Sequence, residues 1–449
     1  MSMKKHKFVI ILIILFSILL VLLFGLLIYN KEPIIKKYNY ANHYNEDKTL
    51  DVTIDLKSYN NNPIYCKFIM DNEESDWIKT NHKKCTYNIK TGDYIIKIKY
   101  NKDKVIEYKK KFNIDKVISI KINEKRKYVA VGGSFNINAF IDYVGDVDTS
   151  ITYISSNPDI ISINETGDIY ANSDGKVTIS AKTSNNLEDK FELTSTSLIR
   201  PRLLNNDKEI VGCNVYTKEQ VDMLDDILNS EVEKAGPGTR AGVVAAATFL
   251  PMEFPYKIPY FYENGRLSDT ERTVDGEGRW YHKGLYLGVD KQNEVKNVLS
   301  GPSSWGCSLM NWFSDGTRSP GEYYPNGFDC SGYVAWILKN GGLDPGDRGA
   351  GVTDIDDMTD LGELKYINYD LLHSGNVKPG DLIGWDGHIA VIAWITDTDI
   401  YVTESLLPGV VLDQYDISSP YSRFYYRYEY IIDMSNQYSG DGNYPNIWR

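Results

Sequence analysis

No cluster of histidines and cysteines in this chain has the spacing of a zinc site, so no metal is expected. Six histidines and five cysteines are scattered over 449 residues. Basic residues are scarce in the second half: residues 201–449 carry 20 Lys and Arg against 37 Asp and Glu, while residues 1–200 carry 29 against 24. The net charge of −12 therefore lies in the C-terminal part, which argues against a nucleic-acid partner. Apolar runs long enough for a bilayer are also missing, with one exception from Phe8 to Tyr29. Those 22 residues reach about 33 Å as a helix, enough to cross a membrane. No Ala-x-Ala cleavage signal and no lipid-accepting cysteine follows the run. Residues 1–30 thus read as a cytoplasmic tip and a single-pass anchor, with Lys4, Lys5 and Lys7 inside and the rest of the chain outside. A cleaved signal peptide is the alternative, and it also exports the body.

In an exported chain cysteines can pair. Cys66 and Cys85 are the first choice for a bridge, and Cys213 with Cys307 a second; buried free thiols are the alternative for both.

Residues 31–48 are polar and without periodicity, a spacer. Residues 49–115 alternate apolar and polar in short runs such as Leu50-Asp-Val-Thr-Ile-Asp-Leu56, the pattern of a small β-sandwich. Residues 116–197 form a second β unit. Its Ser155-Ser-Asn-Pro turn, Gly167-Asp-Ile step and closing run Gly175-Lys-Val-Thr-Ile-Ser-Ala181 resemble the bacterial Ig-like group 2 domain. That resemblance implies a spacer or adhesive module outside the cell, with wall or surface contacts.

The last domain spans 205–449. Thr217 and Gln220 form a capping box ahead of the stripe Val221, Leu224, Ile227 and Leu228. Arg240–Leu250 is apolar almost all round, a buried helix. A third helix opens at Cys330 in Asn326-Gly-Phe-Asp-Cys-Ser-Gly-Tyr-Val334. Backbone N–H groups and the positive helix end there are expected to favour a thiolate nucleophile. Further on, Lys378-Pro-Gly-Asp-Leu-Ile-Gly-Trp-Asp-Gly-His388 leads into a strand and supplies a base. In the next strand Glu404 shares a face with Ile400 and Val402 and is the orienting residue, with Thr403 a rival on the other face. His373 at a helix end and His282 in an aromatic loop are weaker bases.

Helices ahead of an antiparallel sheet give an α+β domain. Asp329-Cys-Ser-Gly-Tyr-Val334 and Gly380-Asp-Leu-Ile with His388-Ile-Ala-Val-Ile392 resemble the NlpC-type family of cell-wall cysteine peptidases. The resemblance implies a papain-like fold, no cofactor, and cleavage of peptidoglycan stem peptides, commonly after D-glutamate. It assigns Cys330 as nucleophile and His388 as base, with Asp329, Ser331 and Trp305 toward the substrate. Two departures are present. Glu404 stands where the family more often has His, Asn or Gln. Ser303-Ser-Trp-Gly-Cys307 replaces the usual Tyr-x-Trp-Gly-Gly, leaving Tyr260 or Tyr262 to supply the tyrosine. An amidase or acyltransferase on the same scaffold, or an inactive wall-binding surface protein, are the other readings.

Overall fold

The computed structural model describes residues 2–29, 31–59, 62–261, 283–292, 296–297, 301–311, 318–345 and 361–445. They fall into two compact units: Met1–Asn123, Asn138–Thr152 and Ser180–Lys190 make one, and Glu124–Ile137, Tyr153–Ile179 and Phe191–Arg449 the other.

The first unit begins with a helix over Ser2–Tyr29 whose stretch Val9–Tyr29 is long and apolar enough to cross a membrane and has no residue buried by the protein. Two antiparallel sheets follow. Leu50–Lys57 is the middle strand of one, between Ile34–Tyr40 and Lys84–Ile89. Tyr65–Met70, Gly92–Tyr100 and Lys104–Phe112 form the body of the other. Their alternate residues, among them Val52, Ile54, Phe68, Ile96, Ile98 and Phe112, make one buried core. The strand Ile34–Tyr40 corrects the reading of 31–48 as a spacer. Its polar side chains face out, while Ile35 and Tyr38 pack on the core and the Tyr38 ring meets Phe112 edge-on at 5.7 Å. Cys66 and Cys85 also correct the expectation of a bridge. Both are buried free thiols, close enough for Cys85 to raise the Cys66 pKa by hydrogen bonding.

The Ig-like stretch gives strands to both units. In the second, Asp168–Ala171 lies between Ser134–Asn136 and Ile161–Ile163. Gly167 turns the chain into that strand at φ +83°, and a Cβ there would sit 2.1 Å from the Ile137 carbonyl oxygen. Only glycine fits.

In the C-terminal part the helix Lys218–Ala235 starts at the expected capping box. Arg240–Thr248 is buried throughout, and Cys330–Asn340 nearly so. Both helices pack on a six-stranded antiparallel sheet ordered Glu363–Tyr366, Tyr430–Asp433, Leu382–Trp385, His388–Ile395, Asp399–Leu406, Gly409–Asp416. Strand alternation splits its side chains between two cores. Ile389, Val391 and Ile432 join the helices. Ala390, Ile392, Ile400, Val402 and Ile431 pack beneath Phe424 and Tyr428 on the other face. Cys213 and Cys307 are joined as a disulfide, the second of the two pairings anticipated.

Arg240 at the start of its helix explains how that layer is fixed to the sheet. Its guanidinium donates to Asp381 Oδ1 at 2.7 Å, to the Pro379 carbonyl at 3.1 Å and to Ser435 Oγ at 2.8 Å. Asp381, fully buried, also accepts the N–H groups of Lys378 and Met434. Burial raises its pKa and Arg240 pulls it back. Replacing Arg240 by Met leaves that carboxylate without its cation. We expect a loss of about 3–5 kcal/mol, read by calorimetry as a lower midpoint for the C-terminal transition, with partial recovery in Arg240→Met/Asp381→Asn.

Candidate active site

Cys330 is the first residue of its helix, and Asp329 is the N-cap. The Asp329 carboxylate accepts the Gly332 N–H at 2.6 Å and lies 3.4 Å from Ser331 Oγ. The approach to the helix is clamped from two sides. Pro259 and Phe261 pair through their backbones with Phe328, and Ser405 Oγ donates to the Phe328 carbonyl at 2.9 Å. Gly327 permits this closeness, since a Cβ there would lie 1.8 Å from the Pro259 carbonyl oxygen.

His388 opens its strand directly after the two-residue turn Asp386-Gly387, paired with Trp385. Its ring stacks on the Trp385 indole with centroids 4.1 Å apart. Nε2 donates to Glu404 Oε2 at 2.8 Å. The other oxygen of Glu404 accepts from Arg427 Nη2 at 2.9 Å and from the Tyr415 hydroxyl at 3.4 Å. Glu404 is wholly buried, so this carboxylate is an internal charge between an imidazole and a guanidinium.

The structure thus brings His388 and Glu404 together, on the face that alternation indicated. Thr403 points the other way, with Oγ1 3.0 Å from the Tyr333 hydroxyl and donating to the Val411 carbonyl. His373 is exposed and stacks on Tyr369, apart from this group. His282 and Tyr262 lie outside the described residues. Tyr260 runs beside Phe328 through its backbone, two residues ahead of the cysteine.

The sulfur and the imidazole meet the sheet differently. Cys330 belongs to the core of Ile389 and Val391. His388 follows the alternation of Ala390 and Ile392, the opposite face. Among the described residues no hydrogen bond joins Sγ to the ring, and Nδ1 makes none. The strand N–H that acts on the sulfur is that of Ile389, the residue after the histidine.

Two expectations are corrected. The thiol is not lowered by its helix start. Burial, followed by the Asp329 carboxylate, pushes Cys330 up to about 12; the N–H groups of Ile389, Ser331 and Cys330 work the other way and lose. Burial is the larger cause, and the N-cap anion beside the sulfur adds to it. Trp305 does not face a substrate. It is fully buried, edge-on to Tyr286, Phe328 and Trp336, and its role is packing behind the cysteine helix. Asp329 and Ser331 are 3% and 1% exposed, so they shape the helix start from within. Arg427, Trp385, Tyr415 and Ser405 were not anticipated. A buried acid on a strand calls for a cation, and Arg427 in an aromatic stretch was the signal available.

Among the described residues no group of three His, Cys, Asp or Glu is placed to hold a metal.

Residues 116–195 match the bacterial Ig-like domain (group 2) family. Domains of that group are typically extracellular, and the apolar N-terminal helix has the length of a membrane anchor or a signal peptide. No curated protein matches the chain. Similar solved structures include the C-terminal 282-residue fragment of intimin in complex with the translocated intimin receptor's intimin-binding domain, at 13% identity over 44% of this chain and 79% of that one, TM-score 0.23. The insect immune protein hemolin matches at 11% identity over 37% and 47%, TM-score 0.26. Domains 4 and 5 of the S-layer protein SbsC match at 15% over 29% and 99%, TM-score 0.19.

The raised thiol has a direct readout. Alkylation of Cys330, followed by peptide mass spectrometry, is expected to be slow at pH about 8.5, the ordinary cysteine value, and to keep rising above it. A rate already level below neutrality would mean a resting thiolate.

Proposed function

We propose that residues 205–449 are a papain-like cysteine hydrolase that cuts amide bonds in peptidoglycan stem peptides outside the membrane. The reading rests on one observation above the others: a buried imidazole held at 2.8 Å by a carboxylate, at the head of the strand whose next N–H meets the sulfur of a helix-start cysteine. The substrate class comes from the resemblance of the cysteine and histidine motifs to the NlpC-type family.

In this scheme Nε2 is tied to Glu404, so Nδ1 is the ring atom left to take the Cys330 proton. A thiol with a raised pKa suits transfer during attack better than a resting ion pair. Sulfur then bonds to the carbonyl carbon. The oxyanion is received by N–H groups at the start of helix Cys330–Asn340, where Gly332 is already engaged by Asp329. The imidazolium, stabilised by Glu404, protonates the leaving amine, and water releases the thioester. Catalytic hydrogen bonds commonly tighten only once substrate is bound, which accommodates the separate sulfur and ring here.

A second reading has its own support. Cys330 is 7% exposed with its thiol pushed up to about 12, as in a domain retained for binding. Mass spectrometry of muropeptides released from purified wall decides. The wild type should release cut stems, and Cys330→Ala and His388→Ala should release at least about 10³-fold less. Equal release by wild type and Cys330→Ala rejects the hydrolase and leaves the surface-binding role. A new amino terminus within the stem indicates an endopeptidase; a free lactyl group indicates an amidase.

A further inference from the structure

We propose that Arg427 is a positioning residue for the imidazole, acting through Glu404. The inference rests on the hydrolase reading above, in which His388 is the base.

The geometry is a three-member chain. Arg427 Nη2 donates to Glu404 Oε1 at 2.9 Å, and Glu404 Oε2 accepts from His388 Nε2 at 2.8 Å. Each oxygen has one strong partner, so the carboxylate cannot turn without breaking a charge-assisted bond. The guanidinium is itself held by rings. Its carbon lies 5.4 Å from the Trp385 centroid, 5.7 Å from Tyr415 and 5.5 Å from Tyr428. Trp385 stacks on the His388 ring as well. Arg427 therefore reaches the histidine by two routes, a carboxylate and an indole. Both fix the ring plane, and the first fixes the tautomer with hydrogen on Nε2.

Without the guanidinium, Glu404 Oε1 would keep only the long contact to the Tyr415 hydroxyl at 3.4 Å, and the carboxylate would be free to swing away from the ring. The other ionisable groups facing the carboxylate are Asp413 and Tyr415 on strand Gly409–Asp416 and Tyr428 ahead of strand Tyr430–Asp433. At the backbone of His388 the Tyr430 hydroxyl donates to its carbonyl at 3.3 Å, and Cys330, Asp386 and Glu429 lie near that tyrosine. Burial, and then Glu404, pushes Tyr415 up to about 12, so it stays a neutral donor. Burial works against the Arg427 charge, yet Glu404 raises its pKa. Arg427 is the cation that pairs with Glu404 among the described residues.

The test is the ring-nitrogen NMR spectrum of His388, which reports its tautomer, in the full chain with labelled histidine. It needs no turnover, so it separates this proposal from failure of the hydrolase reading, which the muropeptide assay reports. In the wild type the ring should carry its hydrogen on Nε2. Arg427→Gln should give a mixture of the Nε2 and Nδ1 hydrogen forms, and Arg427→Lys should restore the single form. A single Nε2 form unchanged in Arg427→Gln overturns the proposal. Should that variant fail to fold, hydrogen on Nδ1 in the wild type overturns it independently.

Discussion

A guanidinium buried against a carboxylate sets the geometry of the C-terminal part. Arg240 begins one helix, and Asp381 immediately precedes the strand Leu382–Trp385. That strand turns through Asp386-Gly387 into the strand headed by His388. The same helix carries Val243, against which Gly341 at the end of the cysteine helix packs so closely that a Cβ would lie 2.6 Å from the valine side chain. Cysteine helix, Arg240 helix and histidine hairpin are therefore tied together by the Arg240–Asp381 pair, with Asp433 a further acid 3.6 Å from the guanidinium, and by a close helix contact within their shared core. Such a pair adds little net stability over an apolar substitute, but it is costly to break singly, and that asymmetry favours one register over its neighbours.

Two buried carboxylates then give the two halves of the site opposite characters. Asp329 accepts the Gly332 N–H at its own helix start and lies beside the sulfur. Glu404 is satisfied by a cation and shares the rest with the imidazole. Burial, and after it Asp329, raises the Cys330 thiol, while Glu404 holds the His388 ring by Nε2. Strand alternation turns His388 and Glu404 to the face of Ile392 and Val402, while Cys330 packs on the other face with Ile389 and Val391.

What could be read from the sequence follows from range. The capping box at Thr217 and Gln220 uses neighbours three residues apart, and it formed as read. The face of Glu404 followed from strand period alone, and the Ig-like stretch from local turn chemistry. Features set by distant partners escaped. Strand Ile34–Tyr40 is polar and acquires its place from Leu50–Lys57 beside it. The state of the Cys330 thiol depends on how deeply helix and sheet enclose it, which overrode the helix-end argument. Trp305 carries a motif resemblance, but its aromatic neighbours Tyr286 and Trp336 decide that it packs. Arg427 lies 23 residues beyond its carboxylate, and no local pattern links them.

The disulfide between Cys213 and Cys307 has a consequence for the sulfur at 330. A cystine of that kind persists where oxidants are plentiful. There an exposed, ionised sulfur would drift toward sulfenic and then irreversible acids, because the anion is the form that peroxides attack. Enclosed and protonated, Cys330 is a poor target for them. The enclosure that slows its ionisation would then also set how long the thiol survives.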